Sequence, residues 1–172
     1  QECDRTPGVG SNFWFEIYLP PATAPAAPAE APPVPARAPR EGPMRILLAD
    51  DHPANRKVVE VMLAAIDAEL TAVEDGKLAV QALTDRPFDL ILMDMQMPVM
   101  DGLSATAAIR ALEAREGRPR TPILMLTANA MAEHVEAGRA VGADGHVTKP
   151  VTMASLFSAI DAATSGTAEV AT

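Results

Sequence analysis

Apolar residues in this chain gather into short unbroken runs that stop abruptly at polar ones. The clearest is Leu90-Ile91-Leu92-Met93, following Phe88 and Asp89 and closed by Asp94. A strand covered on both faces reads as such a run, not as an alternation. Met44-Arg45-Ile46-Leu47-Leu48-Ala49 before Asp50-Asp51, and Ile123-Leu124-Met125-Leu126 before Thr127, have the same form. Residues 69–73, closed by Asp75-Gly76, and residues 144–148, before Lys149-Pro150, predict two more strands. Between them the spacing changes to that of helices. Pro53, a favoured first helical residue, leads into Val59, Met62, Leu63 and Ile66. Further helices are predicted over residues 78–83, over 103–116 (ended by Gly117 and Pro119) and over 130–141 (stopped by Gly142). Leu156, Ala159, Ile160 and Ala163 mark the inner face of a last one. Strand and helix alternate five times, which predicts an α/β domain over residues 44–165, with parallel strands, right-handed crossovers and helices on both faces. Residues 166–172 are expected to be a disordered tail.

The first 43 residues follow other rules. Phe13, Phe15, Ile17 and Leu19 alternate with Trp14, Glu16 and Tyr18, the period-two pattern of a strand, preceded by Gly8 and Gly10 as turn residues. A lone strand is not stable, so residues 1–19 are expected to be cut from a larger sheet, the alternative being a strand added to the edge of the downstream domain. Residues 20–43 hold nine of the sixteen prolines and are otherwise mostly alanine. Such a segment cannot bury a core and favours extended polyproline conformations, so it reads as a linker.

Composition narrows the function. A formal net charge of −9 argues against unspecific binding to nucleic acid or to an anionic membrane surface, both of which need basic patches. The single cysteine, Cys3, excludes an internal disulfide and fits a reducing, cytoplasmic setting. No apolar run reaches 18 residues, and the N-terminus lacks the basic start and apolar stretch of a signal peptide.

The chemistry lies where the strands stop. Parallel strands point the same way, so Asp50-Asp51, Asp94, Thr127 and Lys149 are expected along one edge of the sheet, where open α/β sheets bind ligands. Several carboxylates close together repel one another, and a hard cation relieves this. Mg²⁺ suits the set because it takes a few oxygens and keeps several waters. Metal, hydroxyl and ammonium around one carboxylate fit phosphoryl transfer, with Asp94 as the nucleophile of an acyl phosphate. Taken singly, each of these residues is more often an ordinary helix cap or surface charge; five at consistent topological positions point to a site.

Residues 44–165 resemble a response-regulator receiver domain: an acidic pair after the first strand, Met93-Asp94-Met95-Gln96-Met97-Pro98 with Asp101-Gly102 behind it, Thr127-Ala128 after the fourth strand and Lys149-Pro150 after the fifth. The resemblance implies a flavodoxin-like, doubly wound five-stranded sheet in the order 2-1-3-4-5. It implies that Asp94 is the phosphoacceptor, and that Asp51, Asp94 and the backbone carbonyl of Gln96 bind Mg²⁺ with Asp50 assisting. Thr127 and Lys149 would each hold a phosphoryl oxygen, the Lys149-Pro150 bond would be cis, and Gln96 and Asn129 would tune the lifetime of the phosphate. Such a domain catalyses only its own phosphorylation and dephosphorylation. One departure stands out. The family's aromatic switch residue, three before the lysine, is His146 here.

Gly8-Val9-Gly10-Ser11-Asn12-Phe13-Trp14-Phe15-Glu16-Ile17 is similar to the last strand of histidine-kinase ATP-binding domains, without the nucleotide pocket. Kinase tail, linker and receiver together imply the C-terminal part of a hybrid histidine kinase. Its receiver would take phosphate from a kinase histidine, in cis or in trans, and pass it to a histidine phosphotransfer protein docking near the loops around Asp94 and the first helix, on or near which Val58, Val59 and Met62 lie. A haloacid-dehalogenase-type phosphatase uses a similar strand-end Asp with Mg²⁺, Thr and Lys, but needs a second acid two residues after the nucleophile; Gln96 stands there. A stand-alone receiver, or one kept only for docking, is the remaining alternative.

Overall fold

A computed structural model of the chain describes residues 3–6, 10–13, 42–128 and 132–164. The chain divides into two compact units, residues 1–35 and 36–172. In the first, β1 (Cys3–Thr6) and β2 (Gly10–Phe13) form an antiparallel pair that is a sheet of its own, with Cys3 opposite Phe13. The strand expected from residue 13 onward therefore begins at Gly10, and its partner is the polar segment just before it. Gly10 is a strand residue, not a turn residue. Residues 14–19 and most of the linker, 20–41, lie outside the described residues.

The second unit holds β3 (Met44–Ala49), α1 (Pro53–Leu63), β4 (Ala68–Val73), α2 (Gly76–Asp85), β5 (Leu90–Asp94), α3 (Gly102–Glu116), β6 (Ile123–Thr127), α4 (Ala132–Ala140), β7 (Gly145–Thr148) and α5 (Met153–Thr164). The five strands are parallel in the order β4-β3-β5-β6-β7, which is 2-1-3-4-5 counted from β3. The predicted alternation and strand order are both present.

Each apolar run is two interleaved period-two sets, one for each face of the sheet. Leu47, Ala49, Ile91, Met93, Ile123 and Met125 face one core, filled by Ala79 and Leu83 of α2 and Ala105, Ile109 and Leu112 of α3. Ile46, Leu48, Leu90, Leu92, Leu124, Leu126 and Val147 face the other, filled by Val59 and Leu63 of α1 and Leu156 and Ile160 of α5. Both layers bury their residues almost completely, and at about 25 cal/mol per Å² this apolar burial is the main force fixing the strand ends in place. Two helices start on carboxylates, Asp101 as a helix-start signal in the sequence and Asp75 at the close of the preceding strand. Asp75 accepts from Leu78 N at 2.8 Å and Asp101 from Ser104 N at 2.7 Å. Satisfying these orphan N–H groups sets where α2 and α3 begin, and so how long the loops before them are.

Candidate functional site

Because β3, β5, β6 and β7 run in one direction, their C-terminal ends lie along the same sheet edge. Asp50 directly follows β3, Asp94 is the last residue of β5, Thr127 the last of β6, and Lys149 follows β7. One oxygen each of Asp50, Asp51 and Asp94 lie within 4.8 Å of one another. Lys149 Nζ donates to Asp94 Oδ2 at 2.7 Å and to Asp50 Oδ2 at 2.8 Å. Its backbone N donates to Thr127 O at 2.7 Å, tying the two strand ends together. The Lys149-Pro150 peptide is cis, as the resemblance implies.

The acids differ in setting. Asp50 is 1% exposed and Asp51 is exposed. Asp50 accepts from His52 N at 2.9 Å, from Asn55 Nδ2 at 3.1 and 3.2 Å, and from Lys149. Arg56 Nη1 donates to the main-chain oxygens of Asp50 and Asp51, at 2.7 and 3.0 Å. Asn55 and Arg56 are functional neighbours that sequence reasoning passed over. They look like ordinary polar residues of α1, and only the docking of its first turn against the end of β3 brings them to the acids.

Asp94 is 7% exposed. Burial pushes its carboxyl above the usual range, against the opposing pull of Lys149. Burial draws the Lys149 ammonium down, but hydrogen bonds to Asp50 and Asp94 outweigh this and leave it raised. The two strand ends thus hold complementary charges that offset much of one another's loss of water.

The loop after Asp94 is closed on itself. Gly102 N donates to Met95 O at 3.0 Å, and Gly76 N from α2 donates to Met100 O at 3.1 Å. A Cβ on Gly102 would lie 2.1 Å from Asp94 O, and one on Gly76 2.6 Å from Met100 O, so both close approaches require glycine. Gln96 sits inside this ring, exposed, its N 3.5 Å from Asp94 Oδ1. At the turn, Met100 N bonds Pro98 O at 2.7 Å across Val99, which has φ +65°.

Thr127 is buried, and with His146, Met95, Met125 and His134 it lines a cavity of about 30 Å³, roughly the volume of one water. His146 is an exposed residue of β7. Asn129 lies outside the described residues. Of the apolar residues of α1 near the expected docking region, Val58 is exposed, whereas Val59 is in the core and Met62 packs against it; Val61 is the second large exposed apolar residue of that helix.

Two buried carboxylates, an exposed one and a carbonyl-bearing loop form a donor set for a hard, oxygen-seeking cation, with the Lys149 ammonium held beside it. Residues 46–161 match the model of the response regulator receiver domain. The chain is 48% identical over 107 residues to the sensor protein GacS of Pseudomonas syringae pv. syringae, covering 62% of this chain and 12% of that protein. It thus spans about an eighth of such relatives' length. The receiver domain of a sensor histidine kinase from Pseudomonas aeruginosa PAO1, whose structure has a magnesium ion in the active-site cleft, superposes with TM-score 0.65 at 37% identity, covering 72% of this chain and 99% of that one. Chemotaxis protein CheY4 of Vibrio cholerae does so with TM-score 0.65 at 31% identity, covering 71% and 99%.

Proposed function

The chain belongs to the response regulator receiver family, and on that premise we propose that residues 44–165 accept a phosphoryl group on Asp94 within a hybrid-kinase phosphorelay. The observation that carries the reading is Lys149 Nζ within 2.8 Å of both Asp50 and Asp94, at the edge where all the strand ends meet. A carboxylate oxygen of Asp94 attacks phosphorus of a phosphohistidine. The phosphorus–nitrogen bond breaks, and the imidazole leaves with the bonding pair and takes a proton from solvent. Lys149 stays beside Asp94 and neutralises charge that builds on the phosphoryl oxygens. The Thr127 hydroxyl, at the neighbouring strand end, is the donor for another of those oxygens.

The donor set fits Mg²⁺, as does the magnesium-bearing relative. Asp51, Asp94 and the Gln96 carbonyl would hold the ion, with Asp50 behind them. Bound there, it supplies charge neutralisation for the transferred group. The partner is a phosphohistidine-bearing domain: the kinase as donor, a histidine phosphotransfer protein as acceptor. Val58 and Val61 on α1, beside the site, present an apolar face to it. His146 shares a cavity wall with Thr127 and takes the switch position on the output side. Residues 1–19 as kinase tail and 20–43 as linker belong to this same reading, as does a cytoplasmic setting. Among the described residues no helix is long and apolar enough to cross a membrane.

The test is transfer of radiolabelled phosphate from a phosphorylated histidine phosphotransfer protein. Wild type should become labelled in Mg²⁺ and not in chelator, while Asp94→Asn should stay unlabelled. Labelling of Asp94→Asn at the wild-type rate would remove the assignment. Steady release of phosphate from simple phosphate esters would favour the phosphatase reading instead.

A further inference from the structure

We infer that Asn55 holds the Asp50 carboxylate away from direct metal coordination, and so sets which divalent cation the acidic site takes and how tightly. The inference rests on the metal-dependent reading above and extends it to a residue of α1.

A carboxylate has about four acceptor positions. In Asp50 the four contacts from His52 N, Lys149 Nζ and the bifurcated Asn55 amide occupy them all. A metal ion can reach an Asp50 oxygen only by displacing one of these donors. The His52 N–H is main chain, and Arg56 clamps the two carbonyls just before it. Lys149 is shared with Asp94 and serves the phosphoryl group. Asn55 is the contact without another task. Its amide is neutral, so it satisfies a buried acid without the repulsion that a Lys or Arg in its place would exert on an incoming cation. Asp51, exposed and next in sequence, is left as the acid that turns to the ion.

This division of labour matches what distinguishes the two common hard cations. Mg²⁺ keeps several waters and needs few protein oxygens, whereas Ca²⁺ takes six to eight oxygens in a looser arrangement. With Asn55 in place the site offers two carboxylates and a carbonyl. Without it, a third carboxylate with open acceptor positions stands within 4.8 Å of the others. Each Asp50 oxygen would keep one donor, His52 N on Oδ1 and Lys149 Nζ on Oδ2, and a bound cation would take up the acceptor position that Asn55 leaves.

Isothermal titration of the full chain with Mg²⁺, and separately with Ca²⁺ at constant ionic strength, tests this. Asn55→Ala should bind Mg²⁺ about three- to tenfold tighter than wild type and gain more for Ca²⁺ than for Mg²⁺. Asn55→Ser, which keeps one donor, should fall between. Thermal melts of both variants should lie below wild type in chelator, and the gap should close on adding Mg²⁺. Unchanged or weaker Mg²⁺ binding in both variants would overturn the inference, as would equal gains for the two cations. If wild type itself binds no Mg²⁺, the metal reading falls and this inference with it; if wild type binds and the variants match it, only this inference falls.

Discussion

Lys149 Nζ lies 2.7 Å from Asp94 Oδ2, joining residues 55 positions apart across the intervening strand β6. The ammonium also reaches Asp50, so one cation pairs with two buried acids. Replacing it should expose the repulsion it now cancels. Lys149→Met is expected to lose about 2–3 kcal/mol of stability in chelator, below the range for a fully buried pair because the lysine side chain is 22% exposed. Added Mg²⁺ should recover much of the loss. Urea unfolding with and without Mg²⁺ checks this, and equal deficits in the two conditions would contradict it.

The raised proton affinities of these two groups have the same sign. The Lys149 ammonium holds its proton more tightly in the folded chain than the usual 10.5, so its contribution is complete below that pH and is lost as pH rises through the folded value. Asp94 also holds its proton more tightly than the usual 3.8. Folding then binds protons in that window, and the group's contribution falls as pH rises from 3.8 through the folded value. In metal-free unfolding series, the stability of wild type relative to Asp94→Asn should fall as pH rises through and just above 3.8. An alkaline decline above 10.5 should be present in wild type and reduced in Lys149→Met.

Val99 is a β-branched residue at φ +65°, 81% exposed, inside the loop that follows Asp94. Its side chain strains the backbone there, by about 1–3 kcal/mol for such outliers. Glycine relieves that strain but loses more conformational freedom on folding. The net expectation for Val99→Gly is a gain of about 0.5–1 kcal/mol, read by denaturant midpoint at unchanged slope. In contrast, Gly102→Ala places a Cβ against Asp94 O and should cost about 3 kcal/mol and weaken Mg²⁺ binding, because the ring holding Gln96 must open.

Arg110 ties the other edge of the sheet. Its guanidinium donates to Gly142 O, Thr121 O, Glu113 and Asp144, and Asp144 in turn accepts from Ile123 N and Arg120. Removing the cation leaves the buried Glu113 carboxylate without its partner in the pair, so Arg110→Met is expected to lose about 3 kcal/mol. Mg²⁺ affinity should not change, since the network lies at the strand starts and the acids at the strand ends. Calorimetric melts paired with a Mg²⁺ titration separate the two effects.

Most of the candidate site could be read in the sequence because its members sit at strand ends, and strand ends are where apolar runs stop. Asp94, Thr127 and Lys149 needed only the rule that parallel strands share an edge. Residues 3–6 were not legible as a strand. Cys-Asp-Arg-Thr carries no alternation, and its strand character comes from its partner at Gly10–Phe13. Val59 is core, as its place in the Val59, Met62, Leu63, Ile66 spacing predicts, whereas the exposure of Val58 and Val61 was not legible, because the window of apolar residues on α1 is wide. Arg110 and Asn55 look like polar helix positions, since a side-chain hydrogen bond, whether to loops far along the chain or to the residue just before the helix, leaves no periodic trace.

The sequence by itself determined the layered architecture, since interleaved apolar sets can be buried only between helices on two faces, and with it the gathering of acids, threonine and lysine at one edge. Only the tertiary structure decided which acid is buried and saturated with hydrogen bonds and which is exposed. That choice depends on where the first turn of α1 settles against the end of β3, within a few tenths of an ångström. Hydrogen bonds are directional and short, and no pattern of residue types along a chain encodes that distance.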